Sequence, residues 1–448
     1  MKRRFFIYGA ALVLIAAFSC FYTLRHSGAQ QKMPALNSEM TEQLRPFLSS
    51  PQQAALPSEV SIIGFGEATH GNKETMQIRL SLFRRLVKEQ GRLVFAIEGD
   101  YGGSQRVNDY IHGAAMSAKE AAASIGFQIY RTKEMEDLLK WMREYNENEK
   151  DPQKQIRFYG FDMQRYDRTK ELLFGILKDT DLELYKDYEA ATADLTDETV
   201  YSLTGKQAEA AVQKLKLLSE KLLKQEQKIT KIRSAKDFAI AKHCADLLVQ
   251  NTALHNAGNR YGTMRDAYMA ENTEWIWNFE KQFFQNDRLF ITGHMGHIGK
   301  ETATFGTEKS MGEFLHEKFG KEYFTVGTEF YQSRFWASDH LSGEYREYEV
   351  RNSGKDRLAL LLRGEKSDPL WLDIEKAAAS GGSLSSYLGK KQAMSSIGAV
   401  FGKSFSLSEK LYTQQLSPSK SWDALIYFEK LSPYTQSESI HPPSDKTK

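Results

Sequence analysis

The chain has 448 residues, of which 41% are hydrophobic, 26% charged and 12% aromatic, a composition typical of globular proteins and not of mainly disordered ones. Its length exceeds the roughly 250–300 residues at which a single core stops growing, so we expect one large domain with an insertion, or two domains. Four of the 60 basic residues lie within the first 29 residues, which leaves 56 against 58 acidic residues. This near-neutral body argues against nucleic-acid binding.

An apolar segment near the N-terminus predicts export. A basic Lys2-Arg3-Arg4 stretch precedes an uncharged run of 20 residues, Phe5–Leu24, which is long enough to span a bilayer. Basic residues before such a run favour a cytoplasmic start, so we expect the body outside the cytoplasmic membrane. Two outcomes fit residues 1–29. They are a retained membrane anchor or a signal peptide cleaved after the small residues 27–29, which would release the body.

The sequence contains two cysteines, Cys20 and Cys244. Cys20 lies in the N-terminal segment, so the body has a single thiol and cannot form an internal disulfide. Zinc sites built from several cysteines are excluded for the same reason.

Short apolar runs predict strands that are buried on both faces, and helical patterns lie between them. The runs occupy residues 60–65, 93–97, 156–161, 289–292, 324–327, 397–401 and 424–428. Helical spacing of apolar residues is clear at 73–89 and 134–145. This alternation predicts an α/β fold with a largely parallel sheet flanked by helices.

Composition also predicts the domain boundaries. Residues 30–56 are polar and rich in proline and are expected to be a tether to an α/β domain at 57–431. Residues 166–285 show no strand pattern, and a leucine stripe from Leu215 to Leu222 predicts an inserted helical subdomain with a solvated charged face. Residues 432–448 predict a disordered tail.

Acidic and imidazole groups follow several of the predicted strands. Because ligands in open α/β sheets bind outside the carboxyl ends of the strands, neighbouring strands would bring these groups to one edge. The residues concerned are Glu67, His70, Glu98, Asp162, His294 and His297. A single carboxylate such as Asp162 can instead cap a helix, and a single histidine can be structural.

Arg79 lies on the apolar stripe of the predicted helix 73–89, three residues after Met76 and four before Phe83. Arginine is almost never fully buried without a partner. An inward arginine therefore predicts either an ion pair with a framework carboxylate or an anchor for the substrate or an oxyanion.

These motifs resemble the erythromycin esterase-like family. The resemblance begins with Gly66-Glu67-Ala68-Thr69-His70-Gly71, followed by Arg79 and Glu98, and continues with Arg265-Asp266 and with Gly293-His294-Met295-Gly296-His297. The matching blocks span roughly residues 60–430 in the order of the family. The N-terminal apolar segment departs from the cytoplasmic resistance enzymes of the family, and export argues against macrolide resistance because the drug acts on intracellular ribosomes.

The resemblance implies an α/β sheet with a helical subdomain and hydrolysis of a small-molecule ester or lactone, whose identity stays open. It implies that His70 activates water as the general base. The remaining implied catalytic residues are Glu67, Glu98, His294 and Arg79, and the implied substrate-binding residues are Arg265 and His297. A histidine suits the role since its unperturbed pKa is about 6.5, and Glu67 or Glu98 could orient its ring. Arg79, Arg265 or His294 could donate hydrogen bonds to the oxyanion.

Two other functions fit the same residues. Three histidines (His70, His294, His297) with Glu67 or Glu98 form a plausible ligand set for a divalent metal, although the resemblance favours a reaction without a cofactor. A cell-surface protein could instead use the pocket for binding alone. A serine nucleophile is less supported because the sequence contains no Gly-x-Ser-x-Gly motif.

Overall fold

The computed structural model describes residues 38–304, 306–353, 357–365 and 368–437. The strands in chain order are β1 (Leu48–Ser49), β2 (Ile62–Glu67), β3 (Val94–Asp100), β4 (Arg157–Asp162), β5 (Leu289–His294), β6 (Tyr323–Asp339), β7 (Tyr345–Arg351), β8 (Leu370–Asp373), β9 (Gln392–Ser395), β10 (Val400–Phe401), β11 (Thr413–Leu416) and β12 (Ala424–Leu431). The helices are α1 (Ser38–Leu44), α2 (Lys73–Gln90), α3 (Tyr101–Ile111), α4 (Ala118–Ser124), α5 (Lys133–Asn148), α6 (Asp167–Thr180), α7 (Leu182–Ala191), α8 (Gly205–Leu223), α9 (Glu226–Ile232), α10 (Ala235–Leu254), α11 (Tyr261–Phe284), α12 (Met295–Ile298), α13 (Met311–Phe319), α14 (Arg357–Leu362), α15 (Ile374–Ala379), α16 (Gly382–Leu388) and α17 (Pro418–Ser421).

The chain forms two compact units. Within the described residues, the first unit comprises 38–84, 293–304 and the described parts of 319–434. The second unit comprises 85–292, 306–318 and 435–437.

The first unit contains a mixed sheet. Its strands lie in the order β1-β8-β12-β6-β2, with β12, β6 and β2 parallel, and with β8 antiparallel to both β12 and β1. Strand β7 pairs antiparallel with the outer part of β6, and β10 pairs parallel with its end. Every residue of β2 is buried, as expected for a strand covered on both faces.

The second unit contains three parallel strands in the order β5-β3-β4. All residues of β3 and β4 are buried. The predicted α/β fold with a largely parallel sheet flanked by helices is therefore confirmed, and every strand predicted from an apolar run is present within two to three residues of its expected start.

The described chain between β4 and β5 is helical, and it includes α6 to α11. The predicted stripe Leu215, Leu218 and Leu222 is buried, which confirms the core face of this insertion. Ile232, which continues the same spacing, is 52% exposed, because the chain leaves helix α9 at that residue. Polar exposed strands such as β7 gave no apolar run in the sequence and were not predicted.

Both ends of the predicted body need correction. Residues 38–49, which belong to the predicted tether, form α1 and β1, and β1 pairs with β8 through Leu48 and Leu372. The predicted tail starts too early, because Ser432 accepts a backbone hydrogen bond from Lys73 and Ser437 donates one to Arg131. Backbone pairing therefore orders polar segments that composition alone indicates as linkers.

The predicted membrane segment, residues 1–29, lies outside the described residues. Among the helices that the structure describes, none has the length and apolar character needed to cross a bilayer.

A buried ion pair joins β4 to α11. Arg157 Nε lies 2.8 Å from both carboxylate oxygens of Glu280, and the Tyr159 hydroxyl donates to Glu280 Oε1 at 2.5 Å. Burial raises the pKa of Glu280, and the adjacent Arg157 opposes that rise. Because neither side chain reaches water, the hydrogen bonds of the pair must offset the free energy that both charges lose on leaving water.

We expect Glu280→Gln to lower the free energy of unfolding by about 3–5 kcal/mol, because it leaves the buried Arg157 facing a neutral group. The matched control is Glu274→Gln on the same helix, whose partner Lys318 is exposed, and this change should cost less than about 1 kcal/mol. Chemical denaturation of both variants measures the difference. Equal stabilities would show that the buried pair contributes nothing.

Candidate active site

The turn after β2 places Glu67 and His70 side by side in the first unit. The backbone N–H of Ala68 donates to Thr328 Oγ1 at 2.7 Å, and the carbonyl of Ala68 accepts from the N–H of Ile397 at 2.7 Å. Gly71 is required in this turn because a Cβ there would lie 2.3 Å from the carbonyl oxygen of Trp336. The turn is therefore tied to the neighbouring chain on both sides, which holds the two side chains in place.

Glu67 bridges a histidine and an arginine. His70 Nδ1 lies 2.8 Å from Glu67 Oε1, and Arg79 Nη1 from helix α2 donates to Glu67 Oε2 at 3.4 Å. A carboxylate accepts hydrogen bonds, so Nδ1 of His70 carries the hydrogen and Nε2 keeps its lone pair. Because Glu67 and Arg79 are each 1% exposed, water does not screen this interaction.

His294 and His297 lie in the same unit, at the end of β5 and in the short helix α12. Gly296 donates its backbone N–H to His294 Nδ1 at 3.2 Å, so the neutral ring carries its hydrogen on Nε2. The ring centroids of His294 and His70 are 5.1 Å apart, whereas those of His294 and His297 are 6.3 Å apart. His70 thus offers an acceptor nitrogen and His294 offers a donor on neighbouring rings.

The second unit contains a charged cluster around Arg265, which lies on α11. Its Nη2 donates to Glu98 Oε1 at 2.7 Å and to Asp162 Oδ2 at 2.6 Å. Burial alone would lower the pKa of Arg265, but the charges of Asp162 and Glu98 outweigh burial and hold this pKa well above its ordinary value. The arginine is therefore a permanent cation shared by two carboxylates of adjacent strands, Glu98 within β3 and Asp162 at the end of β4.

Gln164 and Tyr261, which the sequence did not indicate, extend this cluster from Asp162, which was expected either at the edge of the sheet or as a helix cap. Asp162 Oδ1 accepts the backbone N–H of Met163 at 2.7 Å, and Gln164 Nε2 donates to Asp162 Oδ2 at 2.6 Å. The hydroxyl of Tyr261 donates to Gln164 Oε1 at 2.8 Å. Burial raises the pKa of Tyr261, which keeps its hydroxyl a donor. The position of Asp162 directly after a strand was the available sequence signal.

The structure thus separates the predicted residues into two groups. Glu67, His70, Arg79, His294 and His297 lie in the first unit, and Glu98 and Arg265 lie in the second. Of the two roles open for Arg79, the ion pair with a carboxylate is the one for which the structure shows a contact. Of the two carboxylates considered for orienting His70, Glu67 is the one in hydrogen-bond contact.

The residues that the structure describes include no group of three or more His, Cys, Asp or Glu side chains arranged to hold a metal ion. Glu67, one of the carboxylates considered as a ligand, already faces the cation of Arg79. A positive charge at that distance disfavours a divalent cation on the same carboxylate.

Buried parallel strands flanked by helices place the chain among the α/β proteins, a class in which ligands generally bind outside the carboxyl ends of the strands. Residues 87–431 match the erythromycin esterase family, and the chain belongs to that family. It is 23% identical to erythromycin esterase type II of Escherichia coli over 359 residues, which cover 74% of this chain and 80% of that enzyme. Membership supports a hydrolase.

Solved structures show the same fold. A Bacillus cereus protein matches with a TM-score of 0.78 at 22% identity, and a succinoglycan biosynthesis protein matches with a TM-score of 0.75 at 19% identity. Both matches cover 91% of this chain and 100% of the other. A histidine-to-asparagine mutant of the erythromycin esterase EreC, in its open conformation, matches with a TM-score of 0.64 at 13% identity over 85% of this chain and 94% of that one.

Proposed function

We propose that the protein hydrolyses a carboxylic ester or lactone with a water molecule that His70 activates directly. The contact that carries this proposal is the hydrogen bond between Glu67 and His70 Nδ1 at 2.8 Å. It leaves Nε2 as the basic nitrogen and places a carboxylate where it stabilises the imidazolium that forms during the reaction. A positioned base of this kind typically accelerates a reaction by about 10²–10⁴-fold.

In the proposed reaction, Nε2 of His70 takes a proton from water while the water oxygen bonds to the carbonyl carbon. The resulting tetrahedral intermediate carries an oxyanion, and the Nε2–H group of His294 donates a hydrogen bond to it. The bond to the leaving oxygen then breaks, and the imidazolium of His70 returns its proton to that oxygen. The products are a carboxylic acid and an alcohol, which remain joined if the substrate is a lactone.

Glu67 and Arg79 act in this proposal as positioning residues. Arg79 is 1% exposed and donates to the carboxylate of Glu67, so it helps to hold that carboxylate in place. In the second cluster, Arg265 binds two carboxylates, those of Glu98 and Asp162. We propose that Arg265 orders the backbone at the ends of β3 and β4, and that His297, which is half-buried, contacts the substrate.

A hydrolysis screen on the purified full-length protein tests the function. The panel contains aryl and alkyl esters, small and large lactones and a macrolide, each measured with and without a strong chelator. We expect turnover of at least one ester or lactone that survives exhaustive chelation, because the proposed base is a side chain. Loss of turnover on chelation with recovery on adding zinc or iron would establish the metal-dependent alternative.

Absence of turnover across the panel, together with saturable binding of one of its members, would contradict the proposal and indicate a binding protein.

We further propose that the body lies outside the cytoplasmic membrane, because the apolar run Phe5–Leu24 follows three basic residues. Protease added to intact cells should then degrade the body if it is anchored. If the N-terminal segment is cleaved, the body should be found in the medium. Full protection from protease would show that the body is cytoplasmic.

A further inference from the structure

The helical insertion has a basic outer face. Residues 205–232, which include α8 and α9, contain seven lysines and three glutamates. The inner side of α8 is buried through its leucine stripe, and its outer side exposes a set of lysines. We call this set, together with the last exposed lysine of α9, the lysine face. Its members are Lys206, Lys214, Lys216, Lys224 and Lys231.

Glu209 and Glu220 are also exposed on α8, but lysines outnumber glutamates seven to three over residues 205–232. The acidic residues of the adjacent segment bind two other lysines, with Asp187 at 2.8 Å from Lys221 and Asp181 at 2.9 Å from Lys228. Among the described residues, no carboxylate oxygen lies within 4.0 Å of an amino group of the lysine face. Four exposed lysines therefore lie on or directly after α8, and a fifth, Lys231, is exposed on α9.

Large apolar side chains are exposed among these cations. Leu217 is 60% exposed on the same side of α8 as Lys214 and Lys224, and Leu223 and Ile232 are 48% and 52% exposed. These exposed side chains do not contribute to the core of the insertion, which contains the buried stripe Leu215, Leu218 and Leu222. A helix that presents lysines together with outward leucines is typical of helices that lie on a membrane surface.

We propose that the lysine face, with Leu217 at its centre, docks on an anionic lipid bilayer. Lysines attract anionic headgroups and extend their charged ends past the apolar contact, while the leucine enters the boundary between headgroups and acyl chains.

Other occupants fit less well. A second copy docked by twofold symmetry would oppose lysines to lysines, which is unfavourable. Residues 205–232 contain neither an arginine nor an aromatic residue, the side chains that read or stack on nucleotides. The inference goes beyond the proposed hydrolase activity and does not depend on it, because the face shares no residue with the candidate active site.

Lysine footprinting of the full-length protein tests the proposal. The protein is reconstituted in vesicles of phosphatidylcholine alone or with 30% phosphatidylglycerol (about a third anionic lipid, enough for an electrostatic response), and labelled with a membrane-impermeant amine reagent. We expect labelling of Lys214, Lys216 and Lys224 to fall about threefold or more only in the anionic vesicles, and to recover at about 1 M salt, where the Debye length is ~3 Å. Lys88 and Lys281, exposed elsewhere, should label equally in both.

Variants separate docking from proximity to the bilayer. Lys214→Glu, Lys216→Glu and Lys224→Glu combined with Leu217→Ser should abolish protection of Lys206 and Lys231, and Lys88→Glu with Lys281→Glu should leave it intact. All these positions are exposed, and a thermal melt verifies folding. Equal labelling in both vesicles, equal protection in both, or protection by an oligonucleotide but not by vesicles would each overturn the proposal. Lysine labelling can be measured whether or not the N-terminal segment inserts into the membrane, and whether or not the protein hydrolyses an ester.

Discussion

His70→Ala is expected to reduce kcat by about 10²–10⁴-fold on any ester that the wild-type protein hydrolyses, with little change in stability. The base is lost, whereas Glu67 keeps its contact with Arg79, so no new unpaired charge is buried. His70 comes from a turn and not from the hydrophobic core of a helix or strand. Steady-state kinetics and a thermal melt on the same preparation measure the two effects.

The matched control is His316→Ala, which removes an exposed imidazole from helix α13 and should leave kcat within about twofold of wild type. His294→Ala should resemble His70→Ala in kcat if its ring donates to the oxyanion, since loss of one such donor typically costs about 10²–10³-fold. His297→Ala should raise KM more than it lowers kcat. Near wild-type turnover by His70→Ala would show that the base lies elsewhere.

Glu67→Gln is expected to damage both activity and stability. The neutral amide cannot stabilise the imidazolium of His70, so we expect kcat to fall by about 10²-fold or more. The buried guanidinium of Arg79 loses a carboxylate partner at the same time, which should cost about 3–5 kcal/mol of unfolding free energy. Kinetics and chemical denaturation measure the two losses separately.

A double variant distinguishes the two roles of Glu67. Glu67→Gln with Arg79→Met removes the buried cation as well, so stability should recover by about 1–4 kcal/mol while kcat stays low. Arg84→Met on the exposed side of the same helix should change stability by less than about 0.5 kcal/mol. Recovery of kcat in the double variant would show that Glu67 serves only to neutralise Arg79.

The packing of Trp422 beside Glu67 fixes the position of this carboxylate. A Cβ on Gly66 would lie 2.8 Å from the indole of Trp422, and a Cβ on Gly327, its partner on β6, would lie 2.7 Å from the same ring. The ring therefore packs directly against two paired strands one residue before Glu67. Such contact between backbone and side chain limits how far the carboxylate can move relative to His70.

Local patterns in the sequence determined the strands and one pair of candidate catalytic residues. Buried parallel strands are continuous apolar runs, so β2, β3, β4 and β5 could be predicted from composition within short windows. Glu67 and His70 are three residues apart in a glycine-bounded turn, and a contact over that separation needs no knowledge of the rest of the chain. The order of motifs likewise indicated the family that residues 87–431 match.

Only the tertiary structure decided which distant groups became partners. The inward position of Arg79 was evident from helical spacing, but periodicity reports burial and does not identify the carboxylate twelve residues away that receives the cation. Arg265 lies 167 residues from Glu98 and 103 from Asp162, so the sequence could not show that Asp162 forms an ion pair with this arginine. The pairing of residues 48–49 was equally hidden from the sequence, because this short strand forms only where β8 offers its backbone hydrogen bonds.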